Sequence, residues 1–220
     1  MTFRDMLTAA QTKNRSTLAL GLIPILNKLP FEIQRHDDPF LPFGKAVIDA
    51  TADLVCAYIF HLGSYLALGA AGAVALERTM AYVPSGIIKI LHGPFANQEY
   101  VQAASDAAFG ANAVTLAASV SPSVLTAYIQ QPEQGVFVKA PTDADLEPLW
   151  TLADKYPDQI GLYRNAPVGG ILDMLAEPRL EIKWHGESIL YASQGDDFRD
   201  AIRNAASSIR RKPQQHLWAD

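Results

Sequence analysis

The sequence has almost no cysteine. Cys56 is the only thiol among 220 residues, so the chain can form no internal disulfide and no cysteine-pair metal or redox motif. Cys56 lies in the apolar run 54–58, where a free thiol packs as a small hydrophobic side chain. We therefore predict an inert buried cysteine, and a protein of the cytoplasm or another reducing intracellular compartment.

A basic excess and a long apolar run are also missing. Lys and Arg number 18 against 23 Asp and Glu, a net charge of −5, so there is no surplus to neutralise a phosphate backbone and we expect no nucleic-acid partner. The longest apolar run, 62–76, is shorter than the roughly 20 residues that cross a bilayer, so we expect no membrane span. The sequence has neither a P-loop nor a GxGxxG motif, and no cofactor is expected.

What is present is an alternation of strand-like and helix-like segments, which is typical of βαβ units around a parallel sheet. The predicted strands are 17–22, 54–59, 86–91, 113–116, 135–139, 159–163 and 179–183. The predicted helices are 43–53, 64–82, 97–109, 122–130, 143–155, 170–176 and 196–211. About seven βα units are one short of a full barrel, so the pattern predicts an α/β fold, an incomplete TIM-type (β/α) barrel, in a single domain over 1–220.

The run 87–95 reads as a buried strand leading into a helix start. In a (β/α) barrel this is where charged catalytic residues are mounted. Here the run carries Leu91 and Pro94, neither of which is ionisable.

Six segments of the chain resemble the orotidine 5′-phosphate decarboxylase family in its longer bacterial form. They are 16–24, 49–58, 67–72, 109–115, 135–138 and 188–193. The resemblance implies a (β/α)₈ barrel, usually dimeric, that binds a nucleotide monophosphate at the carboxyl ends of its strands. It also implies chemistry by an alternating array of carboxylates and lysines, which acts strongly only when preorganised in a dry site.

The array positions of that family are occupied by other residues here. The first-strand motif Gly-Leu-Asp-Pro places Ile23 at the aspartate, and the second-strand motif Ala-Tyr-Lys places Ile59 at the lysine. The third-strand motif Asp-x-Lys-x-x-Asp falls on Lys89, Leu91 and Pro94. The resemblance therefore implies a barrel that does not decarboxylate the family's substrate. The apolar replacements, with Phe60 and Phe95, are predicted to lie at or near the mouth, either filling it or presenting an apolar surface or pocket to a partner protein or ligand.

The phosphate site of the family is matched only in part. Its glycine-rich turn corresponds to 167–170, which leaves Gly169 and Gly170 as candidate ligand contacts. Its arginine position is Glu187, a carboxylate that would repel phosphate. The family's pyrimidine-contacting loop does not match the segment that begins at Lys139, which stays a candidate ligand residue.

Histidines follow three of the predicted strands: His61, His92 and His185. Imidazoles gathered at one mouth could bind a ligand or zinc, or act in acid/base chemistry. Their spacing carries no metal signature, so no metal is predicted.

Three functional hypotheses follow from these residues. The first is a catalytically inactive relative of the decarboxylases, not an enzyme, that acts as a structural or interaction subunit with a protein partner or as a homo-oligomer, within a larger complex. The second is a non-catalytic module that binds a nucleotide or another small molecule. The third is a repurposed barrel enzyme that uses the mouth histidines.

Overall fold

The computed structural model describes residues 1–105, 107–118, 120–140, 147–166 and 169–211. Within these ranges eight strands follow one another around a closed barrel, and β8 pairs with β1. The strands are β1 (Leu18–Leu22), β2 (Ala57–His61), β3 (Ile88–Phe95), β4 (Ala113–Leu116), β5 (Gly135–Lys139), β6 (Ile160–Ala166), β7 (Gly169–Met174) and β8 (Glu181–His185). The predicted TIM-type barrel is confirmed.

Helices separate most of the strands. They are α1 (Phe3–Asn14), α2 (Phe40–Thr51), α3 (Leu62–Leu66), α4 (Gly69–Tyr82), α5 (Val101–Ala104), α6 (Pro122–Ala127), α7 (Glu147–Lys155), α8 (Glu187–Leu190) and α9 (Phe198–Arg211). Single 3₁₀ turns lie at Leu26–Lys28, Ile33–Arg35 and Gln98–Tyr100. Over the described ranges, no helix has both the length and the apolar character that a membrane crossing requires.

The predicted shortage of one unit is corrected by the way the barrel closes. Strands β1 to β6 run parallel, whereas β7 is antiparallel to both β6 and β8. The segment predicted as helix 170–176 is therefore strand β7, and its burial alternates with the period of two that a strand requires. Pro167 and Val168, which join β6 to β7, lie outside the described residues. An eighth strand is gained without a further helix.

Two other helix predictions also changed. The predicted helix 64–82 is divided into α3 and α4 at Gly69, whose φ of +60° is a left-handed conformation that glycine adopts readily. The predicted helix 97–109 contains only a 3₁₀ turn and α5, and Asp106 lies outside the described residues.

Helix α1, which the sequence reading did not predict, closes the amino-terminal end of the barrel. Its start is fixed by a capping box in which Thr2 and Asp5 satisfy each other's backbone N–H groups. Phe3 packs edge-on to Phe137 of β5 with the ring centroids 5.9 Å apart. Cys56 is buried as predicted, and burial raises the pKa of its thiol to about 12, so it stays protonated.

Two hydrophobic layers surround the strands. The inner layer fills the barrel with side chains such as Ala57, Ile59, Ile88 and Ile90 together with α1. The outer layer lies between the strands and the helices. Its strand residues include Leu18, Leu20, Leu22, Tyr58, Phe60, Leu91, Val114, Leu116, Val136, Val138, Ile160 and Leu162.

Candidate functional site

The register of β2 and β3 decides which residues enter the barrel mouth. His61 and His92 are direct partners in the parallel ladder, and their rings lie with centroids 5.2 Å apart. Both continue the inward-facing series that includes Ile59 and Ile90. Strand β2 was predicted at 54–59, but it ends two residues later, which carries His61 into the barrel mouth.

His61 also begins helix α3. Its Nδ1 accepts the backbone N–H of Ser64 at 3.1 Å and lies 2.9 Å from the Ser64 hydroxyl. A neutral imidazole that accepts at Nδ1 carries its proton on Nε2, so this tautomer is set by the cap. Burial lowers the pKa of His61, which keeps the ring neutral at pH 7.

His92 is held by Thr115 of β4. The Thr115 hydroxyl accepts the Gly93 N–H at 3.2 Å and lies 2.9 Å from Nδ1 of His92. Having accepted from Gly93, the hydroxyl can give its own proton to Nδ1, which again leaves Nε2 protonated. Burial, then His61 and Lys139, lower the pKa of His92 to about 4, so this ring is also neutral near pH 7.

Two further aromatic side chains meet His92 inside the mouth. The Trp184 ring of β8 lies 5.1 Å from the His92 ring, and the Tyr163 ring of β6 lies 5.6 Å away edge-on. The indole ring fits only because residue 21 is glycine, since a Cβ on Gly21 would lie 2.1 Å from Nε1 of Trp184. Nε1 of Trp184 is buried and has no hydrogen-bond acceptor among the described residues.

Lys139 and His185 are placed differently. Lys139 is the last residue of β5 and faces inward, as Phe137 does two residues earlier. It pairs with Tyr163 in the β5–β6 ladder and is exposed at the rim. His185 follows Trp184 and therefore faces the opposite side of β8. Of the three histidines, the structure brings only His61 and His92 together. Among the described residues no three His, Cys, Asp or Glu side chains form a group that could hold a metal ion.

Several residues predicted at the mouth lie elsewhere. Phe60 and Leu91 face outward and pack against helices, as does Phe95, which stacks with Tyr100 at 5.2 Å. Lys89 shares the outward face of β3 with Leu91. The expectation that Phe60, Leu91 and Phe95 fill the mouth or present an apolar surface there was wrong. On β3, strand alternation gives the inner positions to Ile88, Ile90 and His92.

Ile59 and Ile23 do lie on the inner side. Ile59 is buried in the barrel, and Ile23 packs against both hydrophobic layers. The loop after β1 is fixed by Tyr191, whose hydroxyl donates to the Ile23 carbonyl at 2.6 Å and accepts the Ile25 N–H at 2.9 Å. Pro94 is exposed and lies within the irregularity between Leu91 and Phe95, where the pairing of β3 with β4 changes register.

Close packing of the backbone explains why residues 169 and 170 are both glycine. Gly169 has φ +104°, and a Cβ on it would lie 1.9 Å from the Trp184 carbonyl oxygen. A Cβ on Gly170 would lie 2.7 Å from the Arg164 carbonyl oxygen. Both glycines therefore allow β7 to fit between β6 and β8, and their ligand binding stays a prediction.

The neighbouring rim position, Glu187, is exposed and pairs with Lys28 at 2.7 Å. The carboxylate that the resemblance places at the family's arginine position thus has its own cation. Its charge contributes little to a ligand site, since exposed ion pairs are weak.

Sequence reasoning missed Trp184, Tyr163 and Thr115, although they frame the mouth. Part of the signal was available: Trp184 lies two residues after Ile182 on one face of a strand, and Gly21 provides room for a large ring. The facing of β8 could not be read from the sequence because its boundaries were predicted two residues too early.

The comparisons with known proteins point to one family. A Herpetosiphon aurantiacus protein named orotidine 5′-phosphate decarboxylase is 37% identical over 141 residues, 62% of this chain and 52% of that protein. A Roseiflexus castenholzii protein of the same name is 27% identical over an alignment of 263 positions that covers 96% of each chain. No protein-family model matches the chain.

Solved structures agree at the level of the fold. Leishmania donovani OMP decarboxylase matches with a TM-score of 0.68 over 95% of this chain and 98% of that one, at 17% identity. The chain spans about half the length of the curated relatives that it matches at 32% to 37% identity. The resemblance to proteins named orotidine 5′-phosphate decarboxylase is thus confirmed.

Proposed function

We propose that the chain is a relative of the orotidine 5′-phosphate decarboxylases that does not decarboxylate and that acts through binding to other protein chains. The observation that carries the proposal is the set of side chains inside the barrel. None of the described strand residues that face inward is Asp or Glu, and Lys139 is the only Lys or Arg among them. Asp173 and Glu181, the acidic residues of the strands, face outward.

An alternating array of carboxylates and ammonium groups acts by fixed electrostatic fields in a dry site. Neutral imidazoles and aromatic rings supply neither the negative charge that presses on a substrate carboxylate nor a strong cationic proton donor. Lys139 is exposed at the rim, and no carboxylate of the described residues forms an ion pair with it. These properties support a barrel without decarboxylase chemistry.

A surface beside the mouth supports the second half of the proposal. No charged residue occurs over 62–76, and the helices formed there expose apolar side chains, with Leu66 46% and Val74 41% exposed. We define the α3–α4 apolar surface as Leu66, Ala67, Ala70, Ala71 and Val74. An uncharged surface of small side chains can pack against its own copy without charge repulsion, so we assign a second copy of the chain as its partner.

The decarboxylation half is tested by turnover. The purified chain is incubated with orotidine 5′-monophosphate beside the Herpetosiphon aurantiacus relative, and released carbon dioxide is measured. We expect no release above the uncatalysed rate from this chain. Turnover that scales with protein concentration and co-elutes with the chain would refute the proposal.

The association half is tested by mass in solution. Light scattering after gel filtration should give a dimer for the unchanged chain and a monomer for Val74→Lys. Arg78→Glu, an exposed change on the same helix but outside the apolar surface, is the matched control and should stay dimeric. A monomeric unchanged chain, or a dimer unaffected by Val74→Lys, would contradict the assignment.

A further inference from the structure

A groove lies between helix α1 and the segment that connects α4 to β3, at the amino-terminal end of the barrel and away from the mouth. Its volume is about 390 Å³, within the roughly 300 to 1,000 Å³ that is usual for small-molecule sites. Met6 and Ala9 line it from α1, because residues three apart share one face of a helix. Val83, Pro84 and Ile87 line it from the connecting segment.

The lining of the groove is aliphatic. It includes the thioether side chains of Met1 and Met6, which are unbranched and adapt to the shape of what they contact. None of the described residues that line it is Phe, Tyr or Trp. A planar ring gains from stacking on aromatic faces, which this lining does not offer. A flexible aliphatic chain is therefore the apolar body that fits the groove.

Lys89 and Asn112 bring N–H donors to the groove. The Lys89 backbone N–H donates to Oδ1 of Asn112 at 2.9 Å, and the Asn112 backbone N–H donates to the Lys89 carbonyl at 2.9 Å. Because a backbone N–H can only donate, the side-chain atom that faces it is the amide oxygen. The Asn112 amide is thus held in one orientation, with both of its N–H donors on Nδ2. The Lys89 ammonium has three N–H donors and can serve more than one acceptor.

The charge of the groove gives the sign of the ligand. Lys89 lines the groove, whereas none of its described lining residues is Asp or Glu. Lys13 lies on the same face of α1 as Ala9, four residues earlier. Its Nζ donates to the Ser85 carbonyl at 3.3 Å and would lie 3.5 Å from a Cβ on Gly86, which places it at the edge of the groove. Two ammonium groups without a lining carboxylate favour an anion.

We propose that this groove binds an aliphatic monocarboxylate, such as a medium-chain fatty acid. The chain of the ligand covers the apolar side chains of α1 and of the connecting segment, and removes them from water. The carboxylate accepts from the Lys89 ammonium and from the Asn112 amide. The assignment depends neither on the absence of decarboxylation nor on the α3–α4 apolar surface.

Methionine methyl groups can report the binding directly. The full chain, which has four methionines, is labelled with ¹³C at these methyl groups and titrated with decanoate below the concentration at which decanoate forms micelles. We expect the Met6 peak, assigned by its loss in Met6→Leu, to shift and saturate. The fully buried Met80 and Met174 should keep their positions. An unmoved Met6 peak, or equal shifts of Met80 and Met174, would overturn the proposal.

Substitution of the lining cation tests the carboxylate contact. Lys89→Met should weaken decanoate binding roughly tenfold, the size of one lost charge-assisted hydrogen bond. It should leave the affinity for decanol unchanged, because decanol has the same chain without the charge, and this also shows that the groove of the variant is intact. Lys28→Met is the matched control at the opposite end of the barrel, where Lys28 pairs with Glu187, and should keep both affinities.

Two results would contradict the carboxylate contact. One is equal decanoate affinity in Lys89→Met and Lys28→Met. The other is a loss in Lys89→Met that is the same for decanol as for decanoate, since the substitution would then have changed the groove and not the recognition of charge.

Filling the groove tests its location. Ala9→Trp should weaken decanoate binding by roughly tenfold or more, because the added ring occupies the space of the ligand. Thr8→Trp is the matched control, since Thr8 is exposed on α1 but does not line the groove, and it should bind as the unchanged chain does. Undiminished binding by Ala9→Trp would overturn the site. These tests read ligand affinity, so their failure is distinct from failure of the turnover and mass measurements.

Discussion

The two arcs of the barrel bury their strands in different ways. In the arc from β1 to β6 the strands are parallel, and β1 and β4 are buried on both faces over their whole length. In the arc of β7 and β8 buried and partly exposed residues alternate, and β7 runs antiparallel to its neighbours. Parallel strands with two apolar faces need helices outside them, whereas alternating strands do not.

The difference shows how a barrel can close with fewer helices. The connections before and after β7 are 167–168 and 175–180, both too short for the crossover that joins parallel strands. The outer face of this arc is polar instead. Asp173 lies 3.6 Å from Arg179, and Lys183 lies 3.5 Å from Glu181. Closure also leaves no unpaired strand edge among the described strands, which removes the liability of an open sheet.

We expect the largest loss of stability from a substitution at the mouth end of β7. Gly169→Ala should lower the free energy of unfolding by about 3 kcal/mol or more, because it adds left-handed strain to a clash with the Trp184 carbonyl. Gly69→Ala is the matched control, since Gly69 also has positive φ but nothing within 4 Å of an added Cβ. It should cost about 1 kcal/mol. Urea unfolding measures both, and similar losses would show that β7 does not depend on this close approach.

The outer faces of the two arcs should respond differently to truncation. Leu91→Ala in β3 should cost about 3 kcal/mol, because Leu91 is fully buried between strand and helix. Ile171→Ala in β7, on a partly exposed face, should cost about 1 kcal/mol or less. Denaturant unfolding of both variants gives the ratio. A larger loss for Ile171→Ala would mean that the face of β7 is covered.

His92 of β3 packs against Trp184 of β8 and so connects the two arcs at the mouth. We expect acid to lower the stability of the folded chain through this histidine. The pKa of His92 is lowered from 6.5 to about 4 by burial first, so the unfolded chain binds a proton at a higher pH than the folded chain does. Folding free energy is therefore lost as the pH falls from about 6.5 to about 4, at up to about 1.4 kcal/mol per pH unit from this group.

His92→Gln should flatten this acid-dependent slope by about 1 kcal/mol per pH unit. His36→Gln, at an exposed loop position, is the matched control and should keep the slope of the unchanged chain. Thermal or urea unfolding between pH 4 and pH 7 provides the measurement. A slope that survives in His92→Gln would assign the acid sensitivity to other groups.

The parallel arc was predictable because its strands are continuous apolar runs. The predicted strand 113–116 agrees with β4 and 135–139 with β5, since runs such as Val136–Val138 have few alternatives. The family resemblance was readable for the same reason, since most of its segments lie in this arc. The β7 segment was misread because Ile171, Leu172, Met174 and Leu175 fit a short helix as well as a strand. Only pairing with β6 and β8, a long-range contact, decides between them.

The candidate site was predicted only in part. His61, His92 and Lys139 were identified because they follow apolar strands, but which face each residue takes depends on a register of single residues. The observed register places Leu91 against the helices and Trp184 inside the barrel, although both residues are apolar and the sequence does not distinguish them. The histidine tautomers depend on Ser64 and Thr115, and the room for the Trp184 ring, whose N–H has no acceptor in the described part of the chain, depends on Gly21. No sequence motif marks any of these three residues.

The smallest expected effect concerns the charged outer face of β7. Desolvation raises the pKa of Asp173, and Arg179 opposes this shift without cancelling it, so the ionised carboxylate does not stabilise the folded chain. Asp173→Asn should therefore change the free energy of unfolding by no more than about 0.5 kcal/mol at neutral pH. Urea unfolding at low and high salt checks the value.

Asp53→Asn is the comparison on the helix-covered arc. Oδ1 and Oδ2 of Asp53 accept from Nη1 and Nη2 of Arg203, each at 2.7 Å, and this pairing lowers the pKa of Asp53. A lowered pKa means that the ionised carboxylate stabilises the folded chain above its unfolded pKa, so this variant should lose stability at pH 7 and lose less as the pH falls. If Asp173→Asn proved the more damaging of the two, the charges on β7 would hold the hairpin together instead of merely keeping an uncovered strand soluble. Ion pairs on the outer face of β7 and β8 would then stabilise the closed barrel, in the role that a covering helix has in the parallel arc.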